Sequence, residues 1–86
     1  MGYKIAWHED VYKDLERLDK PLRKKIVERI KEYLVKDPAT LGKPLTGPFA
    51  GLHRYRYGDY RVIYGIDMTE KVVKVLKVRH RKEVYK

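Results

Sequence analysis

The dipeptide Gly58-Asp59 restricts the possible folds of this chain more than any other feature. It lies between two segments of strand composition, LHRYRY and YRVIY, within Leu52–Tyr64. A two-residue loop that begins with Gly favours a type II′ β-hairpin, because Gly readily adopts a positive φ angle. A turn of this length also fixes the register of the two strands, so that Arg56 lies directly opposite Arg61.

Side chains alternate between the two faces of a strand, and this hairpin has two very different faces. One face carries tyrosines and valine and predicts a core surface. The other face carries three arginines: Arg54, Arg56 and Arg61. Like charges that face each other across a sheet are destabilising, and Asp59 in the turn is the only acidic residue nearby in sequence. The arrangement therefore predicts a bound anion, with phosphate favoured over a protein carboxylate. A solvated face with splayed arginines is the alternative.

Length and charge indicate one basic domain. The 86 residues, 1–86, suffice for a single small core. The formal net charge is +9, and residues 52–86 hold ten Lys and Arg against four Asp and Glu, a net of +6. This asymmetry predicts an acidic partner, which is nucleic acid, an anionic membrane or an acidic protein.

Other functional classes are disfavoured by composition. No apolar run approaches the roughly 18 residues of a membrane span, and the first residues are too polar for a signal peptide, so we expect a cytoplasmic protein. The chain has no Cys, which fits a reducing compartment and excludes disulfides and a catalytic thiol. Its three His are scattered, so no metal site and no cofactor are predicted.

The hydrophobic pattern predicts the element order β-α-α-β-β-β. Alternation marks a first strand over Tyr3–Trp7, and helical spacing marks a helix from Glu9 and a second one over Leu22–Leu34. Ala39–Gly51 is rich in Gly and Pro and is predicted to be a loop. The hairpin and a last strand, Val72–Val78, complete the chain. We therefore expect an α+β fold: a mostly antiparallel sheet with a helical hairpin packed on one face.

This architecture predicts where a functional surface lies. The helices should cover the tyrosine face, which leaves the arginine face open. A basic tail follows the last strand, beside the second hairpin strand. That placement brings Arg79, Arg81 and Tyr85 near Arg61.

The element order, the motif LHRYRYGDYRVIY at 52–64 and the ending RHRKEVY at 79–85 together resemble the RelE branch of the RelE/ParE toxin superfamily. The resemblance extends over essentially the whole chain. It implies a RelE-like microbial ribonuclease-type fold and the toxin of a type II toxin–antitoxin system. It further implies a metal-independent mRNA interferase that cleaves mRNA in the ribosomal A site. A RelB-like antitoxin would wrap around the toxin and be its only link to operator DNA.

The resemblance also implies three catalytic residues. Arg61 and Arg81 match the arginines that contact the scissile phosphate. Tyr85 matches a tyrosine that stacks on a base and assists the chemistry. A frayed terminal residue without a role is the alternative for Tyr85.

Four further residues are predicted to bind phosphate or RNA: Arg54, Arg56, Arg79 and His80. Arg54 and Arg56 stand where well-studied family members carry lysines. Arg effectively cannot lose its proton, so a phosphate-binding role transfers to these positions and a general-base role does not. A histidine side chain can act as an acid or a base near neutral pH. His80, beside Arg81 in the tail, is the histidine better placed for this role, and an exposed histidine without a role is the alternative.

Two other functional classes remain open. A ParE-like inhibitor of DNA gyrase shares the fold but lacks the arginine and tyrosine set. A non-catalytic RNA- or DNA-binding module would use the same basic face, with tyrosines as stacking platforms.

Overall fold

The computed structural model describes residues 2–82. Its strands and helices follow in this order: β1 Lys4–Trp7, α1 Glu9–Glu16, α2 Lys20–Glu32, α3 Pro38–Leu41, β2 Lys43–Pro44, β3 His53–Tyr57, β4 Tyr60–Asp67 and β5 Val72–His80. Short 3-10 turns lie at Leu34–Lys36 and Gly47–Phe49. The strands form one sheet in the order β1-β5-β4-β3-β2. β1 runs parallel to β5 and every other neighbouring pair is antiparallel, which confirms the predicted α+β architecture.

The hairpin has the register that its turn predicts. Gly58 has a φ angle of 59°, as the first central residue of a type II′ turn requires. Arg56 pairs with Arg61, and Tyr57 pairs with Tyr60. The assignment of side chains to the two faces follows directly from this register.

Both long helices pack on the tyrosine face. His8 caps α1, because its Nδ1 accepts the backbone N–H of Asp10 at 3.1 Å. The helices contribute apolar side chains at helical spacing, and β4 and β5 contribute theirs at strand spacing; the buried set includes Val11, Leu15, Ile26, Ile30, Val62, Tyr64, Val73, Val75 and Val78. Burying one such side chain stabilises the fold by about 1.5–3 kcal/mol. No helix within residues 2–82 is long and apolar enough to cross a membrane.

The segment predicted to be a loop, Ala39–Gly51, is more structured than its composition indicates. It contains most of α3 and all of β2, which pairs with the start of β3. The buried Tyr64 hydroxyl donates a hydrogen bond to the Pro38 carbonyl at 2.6 Å, and burial, with the nearby Asp37 carboxylate, raises the pKa of Tyr64 to about 12. A Cβ at Gly42 would overlap that hydroxyl. The loop prediction was wrong for β2 and for residues 39–41 of α3, because elements of two and four residues are too short to show strand alternation or helical spacing.

The last strand is longer than its apolar run. β5 continues through His80, two residues beyond the predicted end at Val78, and its register against β4 shifts between Ile63 and Tyr64. This bulge lets Val75 and Val78 both face the core although they are three residues apart. Because β5 extends to His80, Arg79 and His80 belong to the sheet rather than to a tail.

Candidate functional site

A row of three arginines crosses the sheet on the face opposite the helices, which we call the basic face. Arg56 of β3 pairs with Arg61 of β4, and Arg61 pairs with Arg79 of β5. Directly paired residues have Cβ atoms about 4.5–5.5 Å apart. Three guanidinium-bearing residues therefore lie in one line across neighbouring strands, which we call the arginine row. The predicted proximity of Arg61 and Arg79 is confirmed.

A second row of cations crosses the sheet two residues away from the arginine row, on the side farther from the hairpin turn. Lys43, Arg54 and Lys77 stand at its positions on β2, β3 and β5. Ile63 occupies the position between Arg54 and Lys77 and is only 2% exposed, although it does not belong to the core beneath the helices. The aliphatic stems of Arg and Lys readily cover such apolar surface.

Sequence reasoning missed both lysines of the second row. For Lys77 a signal was present, since Lys74 and Lys77 are three residues apart among valines, a spacing that a regular strand with one buried face cannot accommodate. The position of Lys43 depends on β2, and no hydrophobic pattern in the sequence predicts that strand.

Arg79 forms an ion pair with Asp14 of α1. The Asp14 carboxylate is 5% exposed and also accepts the backbone N–H of Val78 at 3.0 Å. This contact forms because β1 pairs with β5 only as far as Val75, and α1 then lies beside the rest of that strand. Asp59 is therefore not the only acidic residue close to the arginines.

Two arginines, Arg81 after β5 and Arg56 of the arginine row, contact the hairpin turn. The backbone N–H of Arg81 donates to the Asp59 carbonyl at 2.7 Å, and its Nε lies 3.7 Å from the Asp59 carboxylate. Arg56 Nε donates to the Gly58 carbonyl at 3.1 Å. The side chains of Arg81 and Asp59 are both more than half exposed, so their ion pair is weak and Arg81 keeps access to a ligand.

His80 lies on the tyrosine face. It pairs with Tyr60, and the two rings meet edge to face with centroids 5.1 Å apart. Its Nδ1 accepts the backbone N–H of Lys82 at 3.2 Å. The strand therefore does not align His80 with the arginine row, and its predicted RNA contact stays a prediction. Tyr85 lies outside the described residues, so its role also stays a prediction.

Aromatic residues cluster where β3 meets α2. The Arg29 guanidinium lies 5.1 Å from the Tyr33 ring centroid and 5.5 Å from that of Tyr57. Tyr33 also approaches Tyr55, with centroids 6.0 Å apart, and burial raises the pKa of Tyr55. These contacts join the second helix to the hairpin strand that carries Arg54 and Arg56. In residues 2–82, no three His, Asp or Glu side chains come together in a way that could hold a metal ion.

Comparisons with known proteins agree on one family. The family described as the ParE toxin of the type II toxin–antitoxin system parDE matches residues 5–85. Toxin RelE of Mycobacterium tuberculosis is 36% identical over 84 residues, which cover 98% of this chain and 87% of that protein. Toxin RelG of the same organism is 33% identical and covers 100% of this chain and 99% of the relative.

Solved structures give the same answer for the fold. A chain in the RelBE2 toxin–antitoxin complex of Mycobacterium tuberculosis is 32% identical with a TM-score of 0.89, over 94% of this chain and 100% of that one. A chain of the archaeal RelE–RelB complex from Pyrococcus horikoshii OT3 is also 32% identical, with a TM-score of 0.74, over 98% and 100%. The chain therefore belongs to the RelE/ParE family of type II toxin–antitoxin toxins.

Proposed function

We propose that this toxin is a ribosome-dependent mRNA endonuclease that inhibits translation by cleaving mRNA in the ribosomal A site. The observation that carries the proposal is the arginine row on the open face of the sheet. Arg79 is paired with Asp14, but Arg56 and Arg61 face each other across the hairpin, and an anion between them would offset their repulsion. An RNA backbone supplies phosphates along a line. The ribosome as target also means that the toxin works in the cytoplasm.

The arginines suit one part of the chemistry. Cleavage of RNA by its own 2′-hydroxyl requires a base, stabilisation of the charge on the phosphorane, and an acid for the leaving 5′-oxygen. Arg61 and Arg81 provide the charge stabilisation, with Arg54 and Arg56 as additional phosphate contacts. Because Arg does not release its proton, the base and acid must come from other groups.

Two residues are candidates for proton transfer. Tyr85 is the first, because the sequence predicts it near guanidinium groups, which would favour a phenolate. His80 is the second. Its Nδ1 accepts the Lys82 N–H, so in the neutral ring the proton is on Nε2. Its position on the tyrosine face makes His80 the weaker candidate.

The proposed partner is a RelB-like antitoxin that also links the toxin to operator DNA. The relatives in the RelBE2 and RelE–RelB structures are present as toxin–antitoxin complexes. On this chain β2 covers β3 only as far as Arg54, so within residues 2–82 the outer edge of β3 beyond Arg54 is not paired with another strand. An extended antitoxin segment could add a strand at that edge.

Primer extension on translating ribosomes tests the proposal. The wild-type toxin should produce A-site cleavage products on ribosome-bound mRNA and none on the same mRNA without ribosomes. Arg81→Ala should abolish the products while the protein stays folded. Intact mRNA on ribosomes treated with folded wild-type toxin would contradict the proposal.

Two substitutions of Tyr85 separate its possible roles. Tyr85→Phe keeps the ring, so it preserves stacking and removes the hydroxyl, whereas Tyr85→Ala removes both. If Tyr85 transfers a proton, both variants should slow single-turnover cleavage by a similar factor of about 10²–10⁴. Near-normal cleavage by Tyr85→Phe would assign the proton transfer to another group, with His80 tested next.

The second candidate function, inhibition of DNA gyrase, is favoured by the ParE name of the matching family. Arg61, Arg81 and Tyr85, a set that the ParE-like class is expected to lack, argue for RNA cleavage instead. A supercoiling assay with purified gyrase decides between them, because a gyrase inhibitor would block supercoiling at toxin concentrations that leave ribosome-bound mRNA intact.

A further inference from the structure

Asp14 is a buried carboxylate that the proposed chemistry does not yet use. It is 5% exposed and is the one charged residue of the described chain that is buried to this extent. A carboxylate withdrawn from water is costly unless charged or hydrogen-bonding partners surround it. Here the partners are the backbone N–H of Val78 and the guanidinium of Arg79.

The two partners of Asp14 affect different parts of the structure. The Val78 N–H lies on the side of β5 that β1 no longer covers. Its hydrogen bond to Asp14 gives this edge donor an acceptor that a neighbouring strand would otherwise provide. The Arg79 contact concerns the basic face, because Arg79 is the register partner of Arg61 and ends the arginine row. Asp14 therefore connects a core helix to a residue of the proposed phosphate site.

An arginine at the end of this row needs something to hold it in place. Arg61 repels it, and a long side chain without an oriented partner samples many rotamers. A buried carboxylate has few alternative positions, so an ion pair with it fixes the orientation of the guanidinium before a ligand arrives. Donors that are oriented in advance stabilise developing charge without further reorganisation.

We propose that Asp14 is a positioning residue that holds the Arg79 guanidinium in one orientation at the β5 end of the arginine row for contact with an RNA phosphate. The proposal rests on the proposed endonuclease function and extends it to a residue of α1. Asp14 acts through Arg79 and does not itself contact the RNA.

A double-mutant cycle on programmed ribosomes tests this role. Asp14→Asn removes the charge that holds Arg79, but the amide oxygen can still accept the Val78 N–H. We expect Asp14→Asn to slow single-turnover cleavage about 10- to 100-fold, by analogy with the loss of groups that orient the ligands of metal sites. In the Arg79→Ala background the same change should have no further effect.

The matched control is Glu16→Gln, an equal change of charge at an exposed position of the same helix. It should cleave like the wild type. Cleavage by Asp14→Asn equal to that of Glu16→Gln would overturn the proposal. So would additive effects of Asp14→Asn and Arg79→Ala, because a purely structural carboxylate would act whether or not Arg79 is present.

The same cycle distinguishes failure of this proposal from failure of the endonuclease function. If the wild type does not cleave on ribosomes, the four proteins are compared for binding of a short fluorescent single-stranded RNA. Non-additive losses of affinity would support the positioning role, and additive losses would overturn it.

A measurement on the wild type covers the case in which Asp14→Asn does not fold. NMR of ¹⁵N-arginine-labelled toxin, with Arg79→Ala for assignment, should show slow rotation of the Arg79 guanidinium. Rotation as fast as that of Arg54 would overturn the proposal.

Discussion

The two faces of the central sheet are built from the same strands and have opposite properties. On β4, Val62 and Tyr64 point into the core and are almost completely buried. Arg61, which precedes Val62, lies on the opposite face in register with two other arginines. The helix-covered face gains stability from apolar burial. The basic face places like charges opposite each other, which costs stability. The helix-covered face therefore stabilises the fold, whereas the residues of the basic face are better explained by binding of a ligand.

The comparison implies that substitutions on the two faces separate stability from activity. A core substitution should unfold the protein without altering the chemistry of the molecules that remain folded. A substitution on the basic face should do the reverse. Substitutions that affect both are expected only where an element of the core contacts the basic face, as α1 does through the contact of Asp14 with Arg79.

The largest expected effect is on the helix-covered face. Ile30 of α2 is fully buried in the core. Ile30→Ala removes buried apolar atoms and leaves a cavity, so the free energy of unfolding should fall by about 2–5 kcal/mol. Urea titration followed by circular dichroism measures this loss. A loss below about 1 kcal/mol would show that the helices contribute less to the core than their burial indicates.

The corresponding change on the basic face is Arg61→Ala. It removes a charged contact that we expect to strengthen in the transition state, so single-turnover cleavage on ribosomes should slow by about 10²–10³. Thermal unfolding should be unchanged or slightly raised, because Arg61 faces Arg56 and Arg79. A variant that cleaves at the wild-type rate would remove Arg61 from the site, and one that unfolds would show that the faces are not separable.

The sequence predicts this contrast well for the hairpin and less well for β5. The Gly58-Asp59 turn was sufficient to predict the register and hence both faces of the hairpin, because side-chain alternation is a local property. The partners of β5 were not predictable in the same way. The contact between Asp14 and Arg79 joins positions 65 residues apart, and it depends on where β1 ends and α1 begins to cover the strand.

The site shows the same division. The arginines at 54, 56 and 61 follow from one local motif, and their alignment was predicted. Lys43 joins them only through the two-residue β2, and Lys77 only through the bulge after Ile63. His80 was predicted in the basic tail, but the extension of β5 places it on the tyrosine face beside Tyr60. Tertiary packing decided these positions, and no short pattern carries that information.

Alkaline pH should weaken the helix-covered face. The pKa of Tyr64 is about 12 in the folded protein, against 10.0 for an unperturbed tyrosine. Below pH 10 both states are neutral and stability is unaffected. Between pH 10 and 12 the unfolded state ionises first, so stability should fall with rising pH by about 2–3 kcal/mol in total.

Tyr64→Phe is the control for this pH dependence. The variant loses the hydrogen bond to the Pro38 carbonyl, so it should be less stable at neutral pH. Its stability should fall less steeply than that of the wild type between pH 10 and 12. Urea titrations of both proteins across this range provide the measurement, and parallel curves would show that Tyr64 does not ionise with a raised pKa.

The smallest effect sharpens the comparison most, because it should raise stability while it lowers activity. Arg56→Glu replaces one of two opposed cations with an anion, so Glu would face Arg61 across the hairpin. Exchanging a like-charge pair for an opposite-charge pair should stabilise the fold by about 0.2–1 kcal/mol, while the carboxylate repels an RNA phosphate and slows cleavage. Lys74→Glu is the matched control, because Lys74 is exposed on β5 and pairs with Gly65 and Ala6, neither of which is charged. Stabilisation by both variants would reflect only the lower net charge, whereas stabilisation by Arg56→Glu alone would show that the repulsion between Arg56 and Arg61 is a cost that the wild-type protein bears for its ligand.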